Sequence, residues 1–239
     1  VGEHLSKLDF PTDGGSVDHA ARRFRYVYDT YLRNAGTKTY LSVIPDKNTF
    51  IASQNGYPDK DYKALTERLR SGFPEAKYID ISGLLSADDF YYTDSHWRQE
   101  RITKVADEIA AQMGAERIGT CEIQDTGRPF YGVYYGQAAL PHAPERLFYL
   151  DNAVIRGLKV YNVETQSDIP VYDLGAAAGR DPYEMFLGGA RSIIKITNPN
   201  AAQERRLIVF RDSFGSSIAP LLAAGYSEIT LVDIRYISP

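Results

Sequence analysis

The chain has 239 residues, 44% of them hydrophobic, with a formal net charge of −4 at pH 7. A chain of this length buries a large core and suits one α/β domain, so residues 1–239 are expected to form a single domain. Its 27 basic residues are spread along the sequence, which leaves no cationic footprint for a phosphate backbone and argues against nucleic acid as a partner.

The chain opens at Val1 rather than at a methionine, and no apolar run approaches the roughly 20 residues a spanning helix needs. A cleaved signal or trimmed anchor is therefore expected, and with it an extracytoplasmic location: secreted, periplasmic, or membrane-anchored with the anchor removed. Ser16 is placed to cap a helix in which Val17, Ala20, Ala21, Phe24, Val27, Tyr28, Tyr31 and Leu32 recur at helical spacing until Gly36. Thr39 to Ile44 is a short apolar and β-branched run stopped by Pro45, read as a buried strand with Asp46 and Lys47 on the loop at its end.

Asp59 to Leu69 predicts a second helix, Tyr78 to Ile81 a second short strand, and Gln99 to Met113 a third helix ending before Gly114. Alternating helices and strands predict a parallel sheet. From about residue 118 to 179 the texture turns to Gly, Pro, Tyr and Asp with short alternating runs, read as a β-rich insertion. Cys121, the single cysteine, excludes an internal disulfide and reads as a small filler. Strands at Ser192 to Thr197, Arg206 to Phe210 and Glu228 to Asp233, with a helix near Ser216 to Ala224, restore the earlier pattern. The expected fold is thus a three-layer α/β domain with a mostly parallel sheet, its core built from both chain ends.

The sharpest chemical signal is Leu207 to Gly215: an apolar strand, a polar break at Arg211-Asp212, then Ser213 ahead of small residues that open a helix. A serine there is presented at a strand end, with helix N–H groups and a positive dipole ready for a developing oxyanion. Asp212 or Ser213 would serve equally well as a helix cap. A nucleophilic serine requires a histidine base and a group to orient it. His4, His19 and His142 read as solvated surface residues, whereas His96 lies in Tyr92-Thr93-Asp94-Ser95-His96-Trp97. If that segment is extended, the Asp94 carboxylate and the His96 ring share one face, as a base and its orienting acid require. The rival reading is a helix start capped by Asp94 or Ser95. No metal site is expected, because zinc needs three or four protein ligands and no other histidine has a comparable neighbour; no cofactor is expected either.

Asp94-Ser95-His96-Trp97, the later Asp212-Ser213-Phe214, and the ending Ile229 to Tyr236 together resemble the bacterial DHHW family. That family is similar to the SGNH-hydrolase-like alginate O-acetyltransferases of the periplasm. Val43 to Lys47 and Tyr183 to Gly189 extend the resemblance in order along most of the chain. It implies Asp94, His96 and Ser213 as acid, base and nucleophile, in an order permuted relative to ordinary GDSL hydrolases. The motif carries Ser95 where the family name implies histidine. Where related sequences tend to read Gly-Gly-Asn this chain reads Gly188-Gly189-Ala190, so the oxyanion donors left are backbone groups of Ser213, Gly188 and Gly189. Loss of one such donor costs about a hundredfold in rate.

Lys47, Tyr92, Trp97, Arg211, Arg235 and Tyr236 are candidate substrate contacts. Each has a plainer reading: a solvated strand-end lysine, a tryptophan packed at a helix start, arginines paired with Asp212 and Asp233. The 18 tyrosines include Tyr131, Tyr134 and Tyr135, a candidate glycan-facing wall, although tyrosines line ordinary strands as well. The expected function is a serine esterase or O-acyltransferase acting on a cell-envelope or extracellular carbohydrate, with an acyl donor and a membrane-associated acyl-transfer partner. The alternative is a carbohydrate-binding or scaffold module of the same fold that has lost turnover. A phosphate-ester hydrolase is a weaker third reading, with neither a Gly-rich phosphate loop nor a metal set behind it.

Overall fold

The computed structural model describes residues 3–237, and the chain divides into two compact units, Val1–Ala87 and Asp88–Pro239. In the first unit, α1 (Gly14–Val27) continues as a π-helical turn over Tyr28–Leu32. Asp13 caps it, accepting the Gly15 N–H; Ser16, the expected cap, spends its hydroxyl on the same Asp13 carboxylate at 2.7 Å. After β1 (Tyr40–Leu41) come α2 (Asn48–Ile51), α3 (Tyr62–Gly72) and β2 (Lys77–Tyr78), and β1 pairs with β2 in parallel. Both strands are shorter than their apolar runs. Beyond Leu41 the Ser42 hydroxyl, rather than another ladder rung, bonds the Ile79 carbonyl at 2.9 Å. Val17 and Ala21 of α1 pack on Leu69 of α3 with Leu41, Val43 and Leu65 around them. The helices cross closely at Gly72, where a Cβ would stand 2.6 Å from that of Ala21.

The second unit opens with a bridge between Phe90 and Trp97, followed by a 3₁₀ turn at Gln99–Arg101 and α4 (Thr103–Gln112). There follow β3 (Glu122–Phe130), α5 (Val133–Ala138), β4 (Glu145–Asp151), α6 (Ala153–Gly157), β5 (Lys159–Asn162) and β6 (Ser167–Ile169). The chain ends with β7 (Ile193–Thr197), β8 (Arg206–Phe210), α7 (Phe214–Leu222) and β9 (Glu228–Val232). A five-stranded sheet runs in the order β6-β5-β7-β9-β8, and β3 pairs separately with β4 in antiparallel register.

The five-stranded sheet is mixed, which corrects the expectation of a mostly parallel one. β6, β5, β7 and β9 pair antiparallel in succession, and only β8 and β9 run parallel. The physical reason lies in the connections. A helical crossover, α7, joins β8 to β9 and permits parallel pairing, whereas β5 and β6 are joined by a short turn that forces antiparallel pairing. Both of those strands come from the 118–179 stretch, so part of it builds the central sheet. Val160, Ile194, Ile196, Ile229 and Leu231 are buried, while Tyr161, Lys195, Ile208 and Phe210 are exposed. The alternation is that of a sheet with one covered face. α7, buried from Gly215 to Leu222, packs on α4 and β9. A second core gathers Tyr91, Phe130, Leu147, Tyr183, Met185 and Phe186. Among the described residues no helix is long and apolar enough to cross a membrane.

Candidate active site

Ser213 stands at the N-cap of α7, directly after the loop that leaves β8, and is half-buried. Its side chain makes no capping bond. Asp212 does that work, accepting the Phe214 N–H at 3.1 Å on its Oδ1, so the Ser213 hydroxyl is released. It lies 2.7 Å from His96 Nε2, across 117 positions of sequence. Gly215 makes the tight turn possible for reasons of space, since a Cβ there would meet the Arg211 Cβ at 2.6 Å.

His96 and Asp94 are brought together by a turn and not by an extended strand. Asp94 Oδ1 accepts both the backbone N–H of His96 at 2.9 Å and ring Nδ1–H at 2.5 Å. The carboxylate bonds its own chain two residues on, which bends the segment and faces the ring to the acid. The bend is closed below: Phe90 bridges Trp97, and the Tyr91 N–H donates to the His96 carbonyl at 3.1 Å. Asp94 Oδ2 accepts the Val133 N–H at 2.9 Å from the start of α5. Burial pushes the Asp94 carboxyl up, but the bonds and charge of His96 and the Val133 N–H outweigh it and hold the group below its ordinary value. With Nδ1–H given to Asp94, Nε2 is left as the acceptor for the Ser213 hydroxyl, the arrangement a general base requires.

Several residues that sequence reasoning passed over hold this geometry. Glu145, at the start of β4, accepts the N–H groups of Tyr92 and Thr93, the Thr93 hydroxyl and the Arg98 guanidinium, each at 2.8 Å. Gly132 donates its N–H to the Thr93 hydroxyl at 2.9 Å. Tyr183 lies flat against the His96 imidazole, with ring centroids 3.9 Å apart and planes 10° apart. The signal for Tyr183 and Gly189 was present only as family resemblance, and a lone Glu145 carried none. Asp181, half-buried at the turn before Tyr183, has its carboxyl pushed up by burial and then by the charge of Asp94.

The candidate substrate contacts separate. Trp97 is fully buried and donates its indole N–H to Ser217 Oγ at 2.8 Å, so its ring offers no face to a ligand. Arg211 is buried too. It donates to the Ser216 hydroxyl at 2.9 Å and to the carbonyls of Asp212, Gly189 and Arg191 at 3.2, 3.4 and 3.5 Å, and lies 3.7 Å from Asp233. It ties the serine turn to the glycine loop instead of reaching a substrate. Arg235 pairs with Asp233 through two bonds at 2.9 and 2.7 Å, and sits over the exposed ring of Tyr236. Tyr92 is half-buried with the Arg98 guanidinium over its ring. Lys47, in the first unit, is 1% exposed, against the expectation of a solvated lysine; His4, expected at the surface, is likewise buried there. Leu187, Gly188 and Gly189 are successive left-handed residues. The Gly189 N–H donates to the Phe186 carbonyl at 3.1 Å, which removes it from the expected oxyanion donors. No group of three or more His, Cys, Asp or Glu side chains able to hold a metal is present among the described residues.

The model of a family described as DHHW protein matches residues 84–232. No curated protein is detectably similar in sequence. Among solved structures, a DHHW family protein from Eubacterium siraeum superposes with a TM-score of 0.76 at 18% identity, covering 98% of this chain and 80% of that one. PatB1 of Bacillus cereus, in a structure with a sulfonyl adduct, gives 0.77 at 17% identity over 97% and 84% of the two chains. At these identities the similarities show a shared fold.

Proposed function

The chain belongs to the DHHW protein family, and from that premise we propose that it is a serine esterase or O-acetyltransferase, acting outside the cytoplasm on a cell-envelope or extracellular carbohydrate. The observation that carries this is the 2.7 Å approach of His96 Nε2 to a Ser213 hydroxyl left free of any capping bond.

In this reading His96 Nε2 takes the hydroxyl proton as Ser213 Oγ attacks the acyl carbonyl carbon, and the carbonyl electron pair moves onto oxygen. Asp94 holds the tautomer and faces the imidazolium that forms. The Ser213 and Gly188 N–H groups receive the oxyanion, at the positive end of α7. Collapse expels the alcohol, which takes its proton from His96 and leaves an acyl-serine. Water or a sugar hydroxyl, deprotonated by His96, then attacks that ester, and the released Ser213 oxygen takes the proton back from His96, giving hydrolysis or transfer. Tyr131, exposed, contacts the Tyr135 ring at a centroid distance of 4.5 Å. The pair flanks Gly132 and Val133, which touch Asp94, and its faces suit a pyranose ring.

The proposal is tested with purified protein and p-nitrophenyl acetate. Release that disappears in Ser213→Ala is expected, as is a mass increase at Ser213 after phenylmethylsulfonyl fluoride, a probe of the class seen on PatB1. The second reading, a carbohydrate-binding module, is favoured by Ala190 and by the committed Gly189 N–H. Equal background release by both proteins, with no labelling, would overturn the esterase reading and favour this one.

A further inference from the structure

We propose that Tyr183, anchored by Ser217, is a positioning residue that fixes the plane of the His96 imidazole; the inference rests on the base assignment above. The two rings lie 3.9 Å apart at 10°, nearly parallel. A ring held at Nδ1 and Nε2 alone can still tip about the line joining its two partners, and a packed aromatic face removes that freedom.

Ser217 explains why the tyrosine stays in place. Its Oγ accepts the Tyr183 phenol O–H at 2.8 Å and the Trp97 indole N–H at 2.8 Å, and it donates to the Phe214 carbonyl at 3.2 Å. Ser217 lies four residues after Ser213, on the same side of α7 one turn along. One hydroxyl therefore joins the ring stacked on the base, the residue next to the base, and the helix that presents the nucleophile. Burial pushes the Tyr183 phenol well above its ordinary range, which keeps it a donor. Around it Tyr91 at 6.4 Å and Phe186 at 4.9 Å close the remaining sides. Phe214 adds a tilted contact to His96 at 4.8 Å.

The experiment compares Tyr183→Phe, Tyr183→Leu and Ser217→Ala with the parent protein. It reads kcat and KM for p-nitrophenyl acetate, the rate of inactivation by phenylmethylsulfonyl fluoride, and the proton NMR signal of His96 Nδ1–H. Tyr183→Phe keeps the ring face and loses only the anchoring bond to Ser217, so its loss should not exceed that of Ser217→Ala and should stay well short of that of Tyr183→Leu. Tyr183→Leu should lose kcat and inactivation rate by roughly a hundredfold, the cost of a misplaced reacting group, with KM unchanged. Its Nδ1–H signal should broaden, which a purely structural role would not cause. If Tyr183→Leu does not fold, Ser217→Ala gives the same readings with a smaller loss. A folded Tyr183→Leu, or failing that Ser217→Ala, with parental kcat and a sharp Nδ1–H signal overturns the inference. Retained turnover in Ser213→Ala instead overturns the base and nucleophile assignment, and the NMR signal still reports on Tyr183.

Discussion

A Cβ placed on Gly132 would stand 2.3 Å from the Cβ of Asp94 and 2.5 Å from both its Oδ2 and the Thr93 carbonyl. Gly132 has φ −79° and ψ 177°, a conformation open to any residue, so the requirement is space alone. Gly132→Ala should cost about 1–3 kcal/mol, the usual range for forced overpacking, and should lower esterase turnover by displacing the acid from His96. Urea denaturation and p-nitrophenyl acetate release check this together. Parental stability and rate in the variant would mean that the close approach places no constraint on the site.

Glu145 and Arg98 form the second support. The carboxylate is 5% exposed at its side chain, carries the Arg98 pair at 2.8 Å, and also accepts two backbone N–H groups and a hydroxyl. Glu145→Ala leaves all four donors unsatisfied in a largely buried setting and should destabilise by about 3 kcal/mol. Glu145→Gln keeps the shape, and its loss should be smaller. A thermal-melting series that ranks Gln at or below Ala would contradict this account of the carboxylate.

Asp94 makes stability depend on pH. Its folded-state pKa is depressed below the ordinary value of 3.8. The stability it contributes is therefore present in full above that value and is lost as pH falls through the lower, folded-state value. The unfolding free energy of the parent minus that of Asp94→Asn should be constant near neutral pH and shrink on acidification below about pH 4. Chemical denaturation at pH 7, 5, 4 and 3 measures it, and a difference that widened on acidification would reverse the sign. Activity at neutral pH should fall in Asp94→Asn by roughly 10⁴-fold, the scale for a base left in the wrong tautomer.

Local pattern alone determined a good part of this molecule. The apolar run of β8 begins and ends at Arg206 and Phe210 as read from the residues, and α1, α3, α4 and α7 follow from helical spacing within a few positions. The polar break before Ser213 and the Asp94-x-His96 spacing pick out the candidate residues, although the sequence pattern suggests an extended segment where a turn closed by the Asp94–His96 N–H bond is found. Tertiary structure alone decided the rest. Strand direction is set by which edges meet, and the period-two pattern of β5 is the same whether its neighbour runs with it or against it. Glu145 looks like any surface glutamate until β4 carries it under Thr93, and Gly132 looks like a loop glycine until Asp94 fills the space beside it. His96 and Ser213 lie 117 residues apart, and only packing of α7 against Trp97 and Tyr183 brings them to hydrogen-bond distance. Contacts of that kind arise from burial summed over many residues, and no short stretch of chain encodes them.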